Sequence, residues 1–364
     1  MLSLPAIFPD ALGAYSLDRV AKTAYLLPKL SALTREHYGK CAPFRAVVDR
    51  LFGGLPPGDY ARLEDLPFLP VRMFKTRSLC SVDPAAVFKV VSSSGTTGQQ
   101  VSRVCLDRMT ADLQARALVK IMQHFLGKER LPMVVLDCPG VVPAPESFSA
   151  RGAGVLGLLQ FGRQPVYALR DDMSLDEEAL RVYLEASAGR RVLFFGFTSL
   201  VWQHVIAELR RRGRALPANE GILLHSGGWK KMESAKVGGP EFRQAARETL
   251  GVREVRNFYG MAEQLGSVFC ENNLHWLHAP VFADVIIRDP ATLAPLPVGA
   301  TGLIQTLSVL PRSYPGHSLL SEDLGRIVGG DDPAAGMPGA FFEVAGRAPH
   351  SEIRGCSDTY EPTP

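Results

Sequence analysis

A chain of 364 residues, 46% apolar and 21% charged, is long enough to bury one large core or two smaller ones, and this composition excludes an intrinsically disordered protein. A formal net charge of +3 with scattered basic residues, densest at 210–214, leaves no electrostatic footprint for nucleic acid. The most apolar run, at 192–205, holds too few consecutive apolar residues for a bilayer span, which takes about 20.

The N-terminal stretch MLSLPAIFPDALGAY lacks the charged region and cleavage pattern of a secretory signal, so the expectation is a cytoplasmic protein with no membrane span. Along the chain, short strand-type apolar runs alternate with segments of helical period. FKVV ends a strand at Val91, and VSRVCL forms a second. Asp107 stands at the N-cap of a helix reaching about Phe125, with Met109, Leu113, Ala117 and Ile121 among its apolar positions. MVVLDC, RVLFF, GILLH, VREVRNFY, ADVIIRD and GLIQTLS read as further strands, and 175–186, 198–212 and 241–250 as helices. No internal repeat appears, and the one compositional break is VGGDDPAAGMPG at 328–339. The alternation predicts α/β layers. Cys41, Cys80, Cys105, Cys138, Cys270 and Cys356 are widely spaced with no CxxC pair, which predicts reduced thiols.

The segment VVSSSGTTGQQVSRVCLD carries the first chemical signal. Ser92, Ser93, Ser94, Thr96 and Thr97 supply hydroxyl donors, while Gly95 and Gly98 let backbone N–H groups approach anionic oxygens without Cβ obstruction. A Walker A loop needs a Gly-Lys-Ser/Thr ending and a helix directly after; here Gln99 and Gln100 follow, and then a strand. The run is also far richer in Ser, Gly and Thr than a hairpin turn requires. It reads as a polyphosphate-binding loop.

SSSGTTG resembles the phosphate loop of the adenylate-forming superfamily, and further segments match in that superfamily's order. NFYGMAE, at 257–263, is similar to its Tyr-Gly-x-x-Glu segment, which implies that Tyr259 and Gly260 border adenine and that Glu263, with Thr97, holds Mg2+. HSGGWKK, at 225–231, resembles the adenine loop through Gly227 and Gly228. LLSEDLGRI places the ribose-binding acid on Asp323, and VAGRAPHSEIRG places a ribose-contacting arginine on Arg347. Taken alone, Tyr259 could be a core aromatic, Glu263 a solvated acid at a helix start, and Asp323 a turn residue. The implied ligand is ATP. The implied fold is a large α/β domain of mixed sheets flanked by helices at 1–345, with a hinge-like segment and tail at 346–364.

The superfamily's ligases continue into a small mobile C-terminal domain that carries a catalytic lysine. Here RGCSDTYEPTP closes the sequence, and the expectation is that this small domain is lacking. That ending resembles the acyl-protein synthetase subunit of the fatty acid reductase of bacterial bioluminescence, in which a cysteine near the C-terminus receives the acyl group. The resemblance implies that Cys356 is a nucleophile. Arg354 would lower its pKa and Asp358 would oppose this. It also implies a fatty acid substrate and an acyl reductase subunit or carrier protein as partner. The remaining cysteines read as packing residues.

Other assignments stay open in the sequence. Lys230 or Lys231 supplies positive charge beside the adenine loop or is simply solvated. His225 faces the acyl carboxylate or ends a buried strand. FFGFTSLVWQ, with Phe195 and Gly196, lines an acyl pocket or a plain hydrophobic core. Cys270, His275 and His278 are three potential zinc ligands with no evident fourth. A ligase acting on coenzyme A or a carrier-protein thiol, and a non-catalytic nucleotide-binding subunit, are the competing functions.

Overall fold

Leu193–Phe197 is apolar throughout and Ile222–Ser226 is apolar up to His225 because each is an inner strand of a parallel sheet, buried along nearly its whole length. The structure, a computed structural model, describes residues 12–92, 101–141, 150–229 and 237–349. These fall into two units, one of residues 126–258 and the other of residues up to 125 and from 259 onward.

In the 126–258 unit the strands lie in the order Gly162–Tyr167, Leu131–Val135, Leu193–Phe197, Ile222–Ser226, Glu254–Tyr259, and all neighbours run parallel. The crossovers carry the helices Ala150–Leu159, Glu177–Ala186 and Gly239–Leu250. Leu131–Val135 has the next strand of the chain on one side and the one after that on the other. The order therefore reverses there, and open α/β sheets bind ligands at the carboxyl ends of strands beside such a reversal.

Two features stiffen this end of the sheet. Asp137, wholly buried just past Leu131–Val135, accepts a hydrogen bond of 2.7 Å from Arg151 Nε, and Arg151 Nη2 donates to its other oxygen. Asp137→Ala leaves the Arg151 charge buried without its partner and is expected to destabilise the protein by about 3–5 kcal/mol, read from urea unfolding midpoints. The second feature is Gly196. A Cβ there would lie 2.5 Å from Val201 Cγ2 and 2.8 Å from Leu136 Cβ, so only glycine lets the following helix pack. That helix, expected at 198–212, spans Thr198–Arg211 with a π-helical middle, Val201–Ile206.

The other unit holds an antiparallel sheet in the order Ala283–Arg288, Gly302–Ser308, Ser318–Gly330, Ala340–Arg347, Leu277–His278, Phe269–Glu271. Leu69–Pro70 adds a short parallel strand onto Ser318–Gly330. A separate hairpin pairs Lys89–Ser92 with Arg103–Leu106 and flanks the Ser/Thr/Gly loop. Asp107 then caps the helix Arg108–Leu126 as expected, accepting a 2.8 Å hydrogen bond from the Thr110 N–H. The helices Arg19–Lys40 and Ala42–Phe52 complete the unit, with Phe44, Val48, Leu69, Phe74, Val104 and Leu319 in its core. Among the described residues no helix is long and apolar enough to cross a membrane.

His37 and His317 stack in this core with ring centroids 5.0 Å apart, both fully buried. His37 meets the Ser81 hydroxyl at 2.8 Å, and His317 meets the Thr34 hydroxyl at 2.9 Å. Burial pushes His37 down to about 4, against the opposing pull of the Pro311 carbonyl and Glu36. Burial, and then His37 itself, hold His317 well below its ordinary range. In the unfolded chain His37 takes up a proton near pH 6.5, whereas in the folded protein it resists until about pH 4. Stability should therefore fall as pH drops through that window, by about 3 kcal/mol for His37 alone. Urea unfolding at stepped pH, with His37→Phe shallower than wild type, checks this.

Candidate active site

In the unit that contains them, three of the nucleotide-site residues expected from sequence come together. Tyr259 Oη donates a 2.7 Å hydrogen bond to Asp323 Oδ2, and Arg347 Nε lies 3.4 Å from Asp323 Oδ1. The geometry follows from the sheet. Asp323 and Arg347 are register partners on the antiparallel strands Ser318–Gly330 and Ala340–Arg347, so their side chains meet across the pair. Asp323 is thus a strand residue and not part of a turn. Its own N–H donates to Ser321 Oγ at 3.1 Å, which fixes the local backbone.

Tyr259 is held by aromatic packing against Phe269 and Phe342, with centroids 6.2 and 6.4 Å away. Burial raises its phenol well above the ordinary range, and the Asp323 carboxylate adds to this, so Tyr259 stays a hydrogen-bond donor. Glu322 extends the network: its carboxylate lies 3.6 Å from Arg72 and 3.9 Å from Arg347. The result is a carboxylate oriented from two sides. A carboxylate has about four lone-pair directions, so Asp323 retains acceptor capacity for a vicinal diol.

Glu263 sits in the short turn Ala262–Gln264 and is only 7% exposed. Burial raises its carboxyl above the usual range; a hydrogen bond from Ser102 and the charges of Lys75 and Arg347 act against this. The neighbouring Gln264 amide anchors the turn by donating to the carbonyls of Thr306 at 3.1 Å and Gly316 at 2.8 Å. Gly260 is exposed beside Tyr259.

In the 126–258 unit, His225 ends Ile222–Ser226 and is 6% exposed. Its Nδ1 meets Thr198 Oγ1 at 2.8 Å, and the same hydroxyl donates to the Ser226 carbonyl at 3.1 Å. Since Thr198 has one proton, which the carbonyl takes, Nδ1–H must be the donor to Thr198. This fixes the ring's tautomer and leaves Nε2 an acceptor. Gly227, with φ +85°, turns the chain left-handed directly after the strand, and Gly228 beside it is open to solvent. Phe195 is fully buried against Phe258 and Phe197, and Gly196 is set by packing. Beside His225, the rings of Trp202, Trp229 and Phe242 form an apolar wall.

Ser92 ends its strand exposed, whereas Ser93, Ser94, Gly95, Thr96, Thr97, Gly98, Lys230 and Cys356 lie outside the described residues. Among the described residues, no three His, Cys, Asp or Glu side chains are placed to hold a metal ion. His278 is occupied by the Pro338 carbonyl at 2.8 Å and by Asn272 at 3.4 Å. Sequence reading missed Ser102, Thr198, Glu322 and Arg72. Thr198, directly after FFGF at a strand-to-helix junction, was the one with a local signal.

The family model "Acyl-protein synthetase, LuxE" matches residues 20–362. The "Long-chain-fatty-acid--luciferin-component ligase" of Vibrio harveyi is 24% identical over 333 residues, covering 88% of this chain and 83% of that protein. The protein of the same name from Aliivibrio fischeri is 19% identical over 309 residues, covering 81% and 78%. Among solved structures, 2-hydroxyisobutyryl-CoA ligase in an open conformation with 2-HIB-AMP and CoA superposes with a TM-score of 0.66 at 18% identity. It covers 92% of this chain and 71% of that one, and it shares the fold. The chain belongs to the LuxE acyl-protein synthetase family, and it is a ligase built on the adenylate-forming fold.

Proposed function

We propose that the protein uses ATP to convert a fatty or similar carboxylic acid to its acyl adenylate, receives the acyl group on Cys356, and passes it to a partner, an acyl reductase subunit or a carrier protein. The observation that carries this reading is the hydrogen-bonded Tyr259–Asp323–Arg347 group, a doubly oriented carboxylate suited to the hydroxyls of a ribose. The relatives' names, which specify a long-chain fatty acid, support the acid class. In this reading 1–345 is the adenylate-forming domain and 346–364 the tail that presents Cys356, in a cytoplasmic enzyme.

Each step balances with these residues. A carboxylate oxygen attacks the α-phosphorus, the bond to the β-phosphate bridge breaks, and pyrophosphate leaves. Ser92, Ser93, Ser94, Gly95, Thr96, Thr97 and Gly98 donate hydrogen bonds to the phosphate oxygens on which charge builds. Gly227, Gly228, Tyr259 and Gly260 border the base, Asp323 and Arg347 hold the ribose, and Lys230 adds positive charge. His225 faces the acid's carboxylate, while Phe195 and Gly196 act through packing behind it. Burial raises the Glu263 carboxyl and a bound cation would favour its charged form, which fits Mg2+ held by Glu263 and Thr97. When bound, that ion would neutralise phosphate charge. The Cys356 thiolate then attacks the acyl carbon and AMP departs.

Intact-protein mass spectrometry after incubation with ATP, magnesium and a panel of fatty and aryl acids tests the proposal. An acyl mass that requires both ATP and one acid class is the expected result. The absence of both an adduct and acid-dependent pyrophosphate release across the whole panel would overturn it.

A further inference from the structure

Arg347 is divided between two acids that are neighbours on one strand. Its Nε lies 3.4 Å from Asp323 Oδ1, and its Nη1 lies 3.9 Å from Glu322 Oε2. A guanidinium between two carboxylates moves toward the one that is less neutralised. The second partner of Asp323 is a neutral donor, the Tyr259 hydroxyl at 2.7 Å. Glu322 has a full charge instead, with Arg72 Nε 3.6 Å from its Oε1. Arg72 comes from a distant part of the chain, and backbone pairing fixes its place. Leu69–Pro70 pairs in parallel with Leu319 and Leu320, and the Val71 N–H donates to the Leu320 carbonyl at 2.9 Å. Arg72 follows at the head of the short helix Met73–Thr76, whose Phe74 is buried against Tyr314 with ring centroids 5.9 Å apart. Its backbone is thereby anchored, while its side chain is 72% exposed against 17% for Glu322. An ion pair so exposed adds little to stability, so its value lies in what it does to Glu322.

We infer that Arg72 is a positioning residue for nucleotide binding: by neutralising Glu322 it leaves Arg347 on Asp323, where the pair meets the ribose hydroxyls. The inference rests on the ribose role proposed above for Asp323. Without Arg72, Glu322 keeps Arg347 as its remaining cation among the described residues. Arg347 then closes on Glu322, and Asp323 loses the group that orients its Oδ1. Because the effect acts through charge, an ammonium can replace the guanidinium of Arg72 and a neutral side chain cannot. For the same reason, removing the charge of Glu322 cancels the loss, since nothing then draws Arg347 away from Asp323.

The test compares ATP with dideoxy-ATP, which has the same base and phosphates and lacks both ribose hydroxyls. Dissociation constants are measured by titration calorimetry for wild type, Arg72→Ala, Arg72→Lys, Glu322→Gln and the double variant Arg72→Ala/Glu322→Gln. Urea unfolding midpoints show that each variant folds. Arg72→Ala is expected to weaken ATP binding about threefold to fivefold, the range of an exposed ion pair, with no such effect on dideoxy-ATP. Arg72→Lys should stay near wild type, and the double variant should recover the loss. In acid-dependent pyrophosphate exchange, the loss should appear in the half-saturating ATP concentration and not in the maximal rate. Equal weakening of both nucleotides would overturn the inference, because it marks a general effect of charge on the phosphates. A loss that Glu322→Gln fails to reverse would overturn it as well. If wild type binds both nucleotides alike, ribose recognition by Asp323 fails and the inference falls with it. If wild type prefers ATP but exchanges no pyrophosphate with any acid, the adenylation reading alone fails, and the calorimetry still decides the role of Arg72.

Discussion

Cys356→Ser is expected to abolish the acyl thioester. A thiol with a pKa of about 8.5 is a few per cent thiolate at neutral pH and a strong nucleophile in that form, whereas a serine hydroxyl without a base is hardly ionised. Any residual acylation of the variant would be an oxygen ester, which resists the mild hydroxylamine treatment that cleaves a thioester. Intact mass before and after hydroxylamine separates the two. The companion readout is acid-dependent pyrophosphate exchange, which monitors the step before Cys356 acts. Exchange without an adduct locates the block at transfer, and a hydroxylamine-sensitive adduct surviving in the variant would remove Cys356 from the mechanism. Adding free coenzyme A and looking for acyl-CoA asks whether an external thiol takes the same adenylate.

Much of the parallel sheet was legible because its strands are short apolar runs buried on both sides, and runs such as RVLFF and GILLH leave few alternatives. Its edge strand, Gly162–Tyr167, was not. GRQPVY contains Gly, Gln and Pro, and an exposed edge tolerates residues that an inner strand excludes. Arg19–Lys40 hides its helical character behind an internal Pro28. Ser318–Gly330 hides its length behind three glycines and acids that read as turn signals, although Asp323 lies in its middle. The π-helical stretch at Val201–Ile206 has no periodic signature of its own and arises where the chain packs past Gly196.

The site was legible in part for a related reason. Residue types for phosphate, ribose and metal can be read from local motifs, but the partners that orient them come from elsewhere in the chain. Ser102 on Glu263, Arg72 on Glu322 and Thr198 on His225 are set by tertiary packing.

Asp323→Ala is expected to lower acid-dependent pyrophosphate exchange by a factor of about 100–10,000. A hydrogen bond to a charged group contributes about 1.5–3 kcal/mol, and in the proposed complex Asp323 would accept two from the ribose; tenfold in rate corresponds to about 1.4 kcal/mol. The loss should be greater than for a single contact because Tyr259 and Arg347 both point at Asp323 and lose their common acceptor together. Tyr259→Phe separates the two contributions. It removes the 2.7 Å hydrogen bond to Oδ2 and the hydroxyl's contact with Ser321, keeps the ring between Phe269 and Phe342, and leaves the ribose acceptor in place, so exchange should fall by about tenfold or less. Because half-saturation by ATP and maximal rate are measured separately, the pattern is diagnostic. Loss of ribose binding raises the ATP concentration needed, while loss of orientation at the reacting phosphorus lowers the maximal rate. Equal effects of Asp323→Ala and Tyr259→Phe would place the function of the pair in holding the two strands together and remove ribose recognition from Asp323.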